Sequence, residues 1–412
     1  PAAQAHCWGL NPRPSACEPT ALITDSGQIL DHYGRKTAHI VLGIPLIIGW
    51  LVIACAQSTG IIILGRFLTG LSTGANRAVM LVYIGELASP KIRTYALLVP
   101  CIFLNIGVLA SHIFGYYLYW KTSSYACIIP AILISITSLF LKESPLWLIT
   151  QGRTEEGIEM FRWFRGTDDA SEAELKNILE RQSQKPKMSA KEILKVLRSS
   201  SFIKPMLTLL VVMINIQFTG ITVISVYSQD IFRQTFYGKV DPFIMMIIMD
   251  CIVGTVSVGY CFLGKYVSKK KFYLLCNFGV SVFSAGLVAS LLLGYGEFLW
   301  VPVMCMIFYF CFTAVIFVVG WTFVPELLPN STRGLGSGLN SAIGSISLFI
   351  IVKMTPDLIN TYGPSTAYTF YGVSTLIGGV ILHFILPDTD GKTLQSIEDK
   401  YLNTFFFVNT YL

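Results

Sequence analysis

The stretch Leu299–Val324, LWVPVMCMIFYFCFTAVIFVVGWTFV, decides the fold: it holds no charged residue. As a helix it would extend ~39 Å. The hydrocarbon core of a bilayer is about 30 Å thick. Inside lipid no water serves backbone N–H and C=O groups, so such a segment must be helical. Working outward, blocks of the same kind recur at 38–57, 61–84, 96–119, 124–142, 202–228, 243–264, 272–293, 335–353 and 367–386. With 299–324 they make ten expected spans. The first two meet at the short turn Gln57-Ser58-Thr59-Gly60.

Composition agrees. Of 412 residues, 53% are hydrophobic and 13% charged, and mean hydropathy is +0.61. A water-soluble chain of this length needs more charge to cover its surface. The apolar residues lie in blocks, not as the one-sided stripe of a soluble amphipathic helix.

The formal charge of +6 is unevenly placed. Alternating the segments between spans puts Arg35, Lys36, Lys91, Arg93, Lys142, eleven basic residues in 150–204, four in 264–271, Arg333, Lys392 and Lys400 on one side. The other side holds Lys121, Arg233, Lys239 and Lys353. The positive-inside rule makes the first side cytoplasmic. This accounts for the basic charge, so no nucleic-acid partner is implied. Eight of the ten cysteines fall within spans and are expected to pack as small apolar side chains. No metal or cofactor motif is found, and oligomeric state is not legible.

Five regions follow. Residues 1–30 are irregular. Residues 31–142 carry four spans, 202–386 carry six, and 387–412 form a polar tail. Between the two span groups, 143–201 is hydrophilic with short amphipathic helices. Asp169 and Glu172 mark a helix start, with Leu175, Ile178 and Leu179 along one face, and Ser189–Glu192 fits a capping box. An internal repeat is visible: Glu86-Leu-Ala-Ser-Pro90-Lys-Ile-Arg93 after span two, and Glu326-Leu-Leu-Pro329-Asn-Ser-Thr-Arg333 after span eight. Duplicated transporter halves leave such signals.

The polar motifs sit at span ends. Asp31-His-Tyr-Gly34-Arg35-Lys36 is a tight loop before span one. Gly65-Arg66 with Gly70 and Gly74 opens span two, where glycines let helices approach closely. Lys142-Glu143-Ser144-Pro145-Leu-Trp147-Leu148 closes span four, and Glu143 is expected to pair with Arg93 or Arg153. Arg66, Arg77 and Asp250 lie within spans, where a charge marks a functional candidate. The alternative is a boundary shift or a solvated wall. His112 is expected to be a packed residue.

In order and spacing these motifs resemble the sugar porter family of the major facilitator superfamily, nearest in appearance to its facilitated trehalose and hexose transporters. The matching segments are Gly34–Lys36, Gly65–Arg66, Glu86–Arg93, Glu143–Leu148, Gln217–Ser228, Glu326–Arg333 and Pro387–Lys392. The resemblance implies an all-α fold of two six-helix bundles around a central site. It places the ten spans on family helices three to twelve. The first family helix is then expected to be absent and the second eroded to Thr20–Leu30.

The resemblance also implies the sites. Substrate contact falls to Gln217, Thr222, Tyr227 and Trp321. A cytoplasmic charge lock falls to Arg35, Glu86, Arg93, Glu143, Glu326 and Arg333. Several family positions are altered: amides are replaced at Cys101, Ile216, Thr222, Ile252 and Gly344, and an aromatic and proline set becomes Phe317–Trp321. Sugar hydroxyls need paired donors and acceptors, so each lost amide removes about 1 kcal/mol of binding. The expected function is facilitated diffusion of a small polar solute, a hexose or trehalose, across the plasma membrane. Proton-coupled symport is a variant. The alternatives are a membrane sensor or scaffold without flux, and a truncated, inactive transporter. No hydrolase, metalloprotease or phosphate-loop pattern supports an enzyme.

Overall fold

The structure, a computed structural model, describes residues 33–89, 92–183, 199–264, 266–294, 298–328 and 333–388. No strand occurs among them. Calls on the segment 1–30, the capping box at 189–192 and the tail beyond 388 lie outside the described residues.

The first four helices are α1 (Arg35–Ala54), α2 (Thr59–Leu87), α3 (Arg93–Tyr117) and α4 (Trp120–Phe140). Three shorter helices follow: α5 (Pro145–Thr150), α6 (Thr154–Arg165) and α7 (Asp169–Ser183). Then come α8 (Ser200–Phe218), α9 (Ile221–Val226), α10 (Ser228–Thr235), α11 (Pro242–Leu263), α12 (Lys269–Leu292), α13 (Trp300–Leu327), α14 (Arg333–Tyr362) and α15 (Pro364–Ile385). Among the described residues, nine segments are long and apolar enough to cross a membrane. The expected span 61–84 forms as α2, which at 29 residues is long enough. It carries Arg66, Arg77 and many small polar residues, and it is not among the nine.

The helices gather into two compact units. One comprises 1–97, 117–199 and 330–342; the other comprises 98–116, 200–329 and 343–412. The grouping departs from chain order at α3, most of which belongs with the second unit, and at the first turns of α14, which belong with the first.

In the first unit α1 packs along α2 and α4. Of the three glycines in the span-two motif, Gly65 makes the close approach: a Cβ there would press on the Gly49 carbonyl and Ile53. Gly70 and Gly74 face open space among the described atoms. Polar side chains tie the two helices where lipid offers no partner. Ser72 donates to the Leu42 carbonyl at 2.5 Å, and His39 Nδ1 meets Asn76 Oδ1 at 2.6 Å. Beyond the spans, Ile149, Phe161 and Leu175 form a small buried core with Ile158, Ile178 and Leu179 against it. Thus α7 starts at Asp169 and turns its apolar face onto α5 and α6. Arg162 clamps Glu172 through two hydrogen bonds of 2.7 and 3.1 Å, joining α6 to α7.

In the second unit α12 packs against α13 and α15. α13 is apolar all round and deeply buried; Met306, Tyr309, Ala314, Ile316, Val319 and Phe323 expose nothing. Two of the buried polar side chains there bond to each other and to backbone, as burial favours. Tyr273 Oη donates to Asn215 Oδ1 at 2.8 Å, and Asn215 Nδ2 donates to the Thr375 carbonyl at 3.3 Å. Cys55, Cys101, Cys127, Cys251, Cys276, Cys305 and Cys311 are free thiols.

Candidate functional site

Two sets of polar residues stand out, one in each unit. In the first unit they lie where α1 begins and where α2 and α4 end. Gly34 takes φ +93°, a left-handed value costly for other residues. A Cβ at 34 would also collide with the Glu143 carboxylate. That carboxylate accepts the otherwise orphaned N–H groups of Arg35 at 2.8 Å and Lys36 at 3.2 Å. It also accepts from the Ser144 N–H at 2.8 Å. An anion therefore sits on the positive end of α1, where helix dipole and free N–H groups both favour it.

The Arg35 side chain turns to Glu86 at the end of α2. Its fork gives Nε to Oε2 at 3.1 Å and Nη2 to Oε1 at 2.8 Å, with the side chains only 10% and 15% exposed. Ser144 Oγ donates to the same Glu86 carboxylate. Arg165 of α6 donates to the Glu86 carbonyl at 2.9 Å and the Leu87 carbonyl at 3.3 Å, closing the end of α2. Tyr83 Oη donates to the Lys142 carbonyl at 2.6 Å. Arg35, Glu86 and Glu143 thus form one network.

Glu143 acts on Arg153 only through its charge, with no hydrogen bond between them among the described residues. Arg153 hydrogen-bonds Glu156 at its side, an exposed pair that raises the guanidinium pKa and lowers the carboxyl's through their hydrogen bonds. The side chains of Arg93 and Arg333 lie outside the described set. Glu326 lies in the second unit, where the Lys269 ammonium at the start of α12 donates to it. The sequence repeat therefore becomes a repeated contact. A basic residue opening one helix meets the glutamate that ends the next, Arg35 with Glu86 and Lys269 with Glu326.

The second set surrounds a break in a membrane helix. α8 stops at Phe218, Gly220 takes φ +77°, and α9 resumes at Ile221. Unpaired backbone at this depth must be served by protein. Tyr309 Oη donates to the Thr219 carbonyl, and Thr219 Oγ1 donates to the Ile216 carbonyl at 2.7 Å. On either side of the break stand Gln217, buried, and Thr222, half-buried. Thr222 Oγ1 donates to Gln217 Oε1 at 3.4 Å. Tyr227, half-buried, lies at the joint of α9 and α10. Trp321 is buried on α13, edge-to-face with Phe317. Gly344, where the family amide is missing, lies against the Trp321 ring: a Cβ there would stand 4.0 Å from Cη2 and 3.6 Å from Met213 Sδ. Gln217 and Thr222 are brought together; Trp321 is brought to Gly344.

The intramembrane charges fare differently. Arg66 is exposed on α2, its guanidinium 5.6 Å from the Trp50 ring centroid. Arg77 is exposed on the same helix. Asp250 of α11 meets His112 of α3, Nδ1 to Oδ2 at 2.6 Å. His112, expected only to pack, is therefore a polar partner that sequence reasoning missed. Its signal was available: two intramembrane titratable residues on different spans often answer each other. Among the described residues no group of three or more His, Cys, Asp or Glu side chains gathers as a metal site needs.

This geometry can be set beside known proteins. The family model "Sugar (and other) transporter" matches residues 24–401, so the chain belongs to the sugar transporter family. It is a multi-pass helical membrane protein of a transporter class, not an enzyme. The facilitated trehalose transporter Tret1 of Polypedilum vanderplanki is 28% identical over 399 residues, covering 91% of this chain and 76% of that one. Tret1 of Drosophila grimshawi is also 28% identical, over 403 residues, and here the chain spans 41% of the relative's length. Among solved structures, the proton:xylose symporter XylE bound to 6-bromo-6-deoxy-D-glucose superposes with TM-score 0.79 at 19% identity, covering 93% of this chain and 86% of that one. The inward-open xylose transporter XylE from E. coli superposes with TM-score 0.72 at 17% identity, covering 94% and 87%. These likenesses carry the fold.

Proposed function

We propose that the chain moves a small sugar, a hexose or trehalose, across the plasma membrane by facilitated diffusion through alternating access. One observation carries the reading: the break at Thr219–Gly220 in a membrane helix, flanked by Gln217 and Thr222. Transporter sites form where a membrane helix is discontinuous. An amide and a hydroxyl that bond to each other can exchange that bond for sugar hydroxyls without leaving a buried group unpaired. Tyr227 and Trp321 supply flat apolar and polar edges for the faces of a sugar ring. The trehalose transporters among the relatives support this substrate class.

The network of Arg35, Glu86 and Glu143 is the charge lock of the first half, joined by Arg93. Glu326, with Lys269 and Arg333, serves the second half. Each holds helix ends together in one state and must rearrange in the other. The bias of basic residues supports a cytoplasmic side for these ends, the 143–201 region and the C-terminal tail.

The test is uptake of radiolabelled trehalose and glucose by cells expressing the protein, with surface amount measured in parallel. Saturable uptake that falls several-fold in Gln217→Ala at equal surface level is the expected result. Ligand binding without flux would replace transport with the sensor reading.

A further inference from the structure

The His112–Asp250 contact is not used by the sugar site. Both residues lie within spans: His112 sits roughly 8 Å from the end of α3, and Asp250 roughly 12 Å from the start of α11, at 1.5 Å per residue. These ends lie together, since Tyr116 stacks on Phe243 with ring centroids 3.7 Å apart. About two turns deeper on both helices, Asn105 Nδ2 donates to Ser257 Oγ at 2.9 Å. The two helices are therefore matched along a polar seam, and the titratable pair is its middle member.

The pair is screened from bulk water but not sealed, with side chains 18% and 11% exposed. α11 packs against α10 and α13. Their charged and titratable groups are Asp230 and Arg233 on α10, and Cys305, Tyr309, Cys311 and Glu326 on α13. None of these bonds to either member of the pair among the described residues; His112 and Asp250 bond to each other.

We propose that His112 and Asp250 form a proton-binding site within the membrane, and that its occupancy sets the rate of sugar transport. This deepens the transport reading and rests on it for the second clause. With one proton between them the pair is neutral overall, whether written as imidazolium with carboxylate or as imidazole with carboxylic acid. Losing that proton leaves a lone carboxylate in a low-dielectric setting, which is strongly disfavoured. The proton is therefore held by the two residues jointly, across the 2.6 Å contact. When the pair releases its proton to water, the bare charge draws solvent and loosens the α3–α11 seam. Rebinding closes it. A proton thereby biases one arrangement of the second unit over the other.

The experiment has two independent readouts on the intact protein in liposomes. The first is infrared titration of the carboxyl groups. Wild type should show a carboxylic-acid or hydrogen-bonded carboxylate band that changes with pH and is missing in Asp250→Asn; the same change should move in pH in His112→Gln. No pH-sensitive band assignable to Asp250 would overturn the proton site whatever the sugar data say. The second is uptake of labelled trehalose or glucose against pH. Wild-type rate should change with pH by up to about tenfold per unit, the limit for one proton, and Asp250→Asn should be flat. A pH-sensitive band with pH-independent uptake overturns the link to transport. A pH-sensitive band with no uptake of any sugar at any pH supports the proton site and overturns the transport reading instead. Where Asp250→Asn misfolds, the exchange His112→Asp with Asp250→His keeps the pair and should restore both band and pH response. Failure to restore either in a folded exchange variant refutes the pairing.

Discussion

Replacing Glu143 by alanine tests the start of α1 and, through it, the whole charge network. The carboxylate takes the N–H groups of Arg35 and Lys36 at 2.8 and 3.2 Å, both orphans of the first helical turn. A hydrogen bond to a charged group contributes about 1.5–3 kcal/mol net, and losing a helix N-cap costs about 0.5–2 kcal/mol. The two figures overlap, because both count the same N–H groups. The favourable meeting of an anion with the helix dipole adds about 0.3–1 kcal/mol. Water refills part of the space, so the net loss is about 3 kcal/mol, confined to the helix end. At 1.36 kcal/mol per decade this is roughly 100-fold in local opening. Hydrogen exchange read by mass spectrometry on peptides covering 33–42 measures it directly. Arg35 and Lys36 amides should exchange roughly 100-fold faster in Glu143→Ala, and about fivefold faster in Glu143→Gln, which keeps an acceptor but not the charge. The first turn of α15 should not change. Equal exchange at Arg35 and Lys36 in wild type and Glu143→Ala would refute the cap, and with it the account of why Gly34 precedes this helix.

Four further outcomes follow from the same geometry. Glu86→Ala leaves the Arg35 guanidinium buried without its fork partner, which costs about 3–5 kcal/mol; sugar uptake should fall while surface expression persists, and unchanged uptake at normal surface level sinks the lock assignment. Gly34→Ala forces a side chain into positive φ and into the Glu143 carboxylate, a loss of about 1–2 kcal/mol from the backbone alone, visible as a lower melting temperature in detergent. Gly344→Asn returns an amide to a position with ordinary contact space beside Trp321, and should lower the KM for sugar about fivefold, equivalent to about 1 kcal/mol. Glu172 is held below the ordinary glutamate range by its hydrogen bonds to Arg162. A depressed carboxyl gives stability above its unfolded value and loses it as pH falls through the folded value, so α6–α7 protection in hydrogen exchange should hold from neutral to mildly acidic pH and loosen only in stronger acid. Glu172→Gln should already show the looser state at neutral pH.

Much of this fold is legible because lipid removes alternatives. A run such as Leu299–Val324 has one structural outcome in hydrocarbon, and it forms α13. The start of α7 at Asp169 was equally open, since its acidic first turn and apolar face are local features. What stayed hidden was contact between distant segments. Gly34, Glu86 and Glu143 could be named as motif members, but only the folded chain shows that the Glu143 carboxylate accepts the backbone N–H groups of Arg35, Lys36 and Ser144. His112 reads as an ordinary polar residue in a span until Asp250 is placed beside it. The grouping of α3 with the second unit could not be read either, because the contacts that join it to α11 are few and about two turns apart along α11. At the proposed sugar site, Gln217 and Thr222 could be named from the sequence, while the break between them depends on Gly220 adopting a left-handed conformation that many glycines never use.

The paired contacts Arg35–Glu86 and Lys269–Glu326 hold a record of unequal wear. In the first half a planar fork fills both carboxylate oxygens, and a serine adds a third donor. In the second half an ammonium takes one oxygen, and Glu326 Oε2 is buried without a hydrogen-bond partner among the described residues. A point charge on a flexible stem tolerates drift that a bidentate fork does not. The first half therefore behaves as a keyed joint and the second as a loose one. The Lys269–Glu326 contact is therefore the one whose ends can shift without breaking a fixed two-point fit.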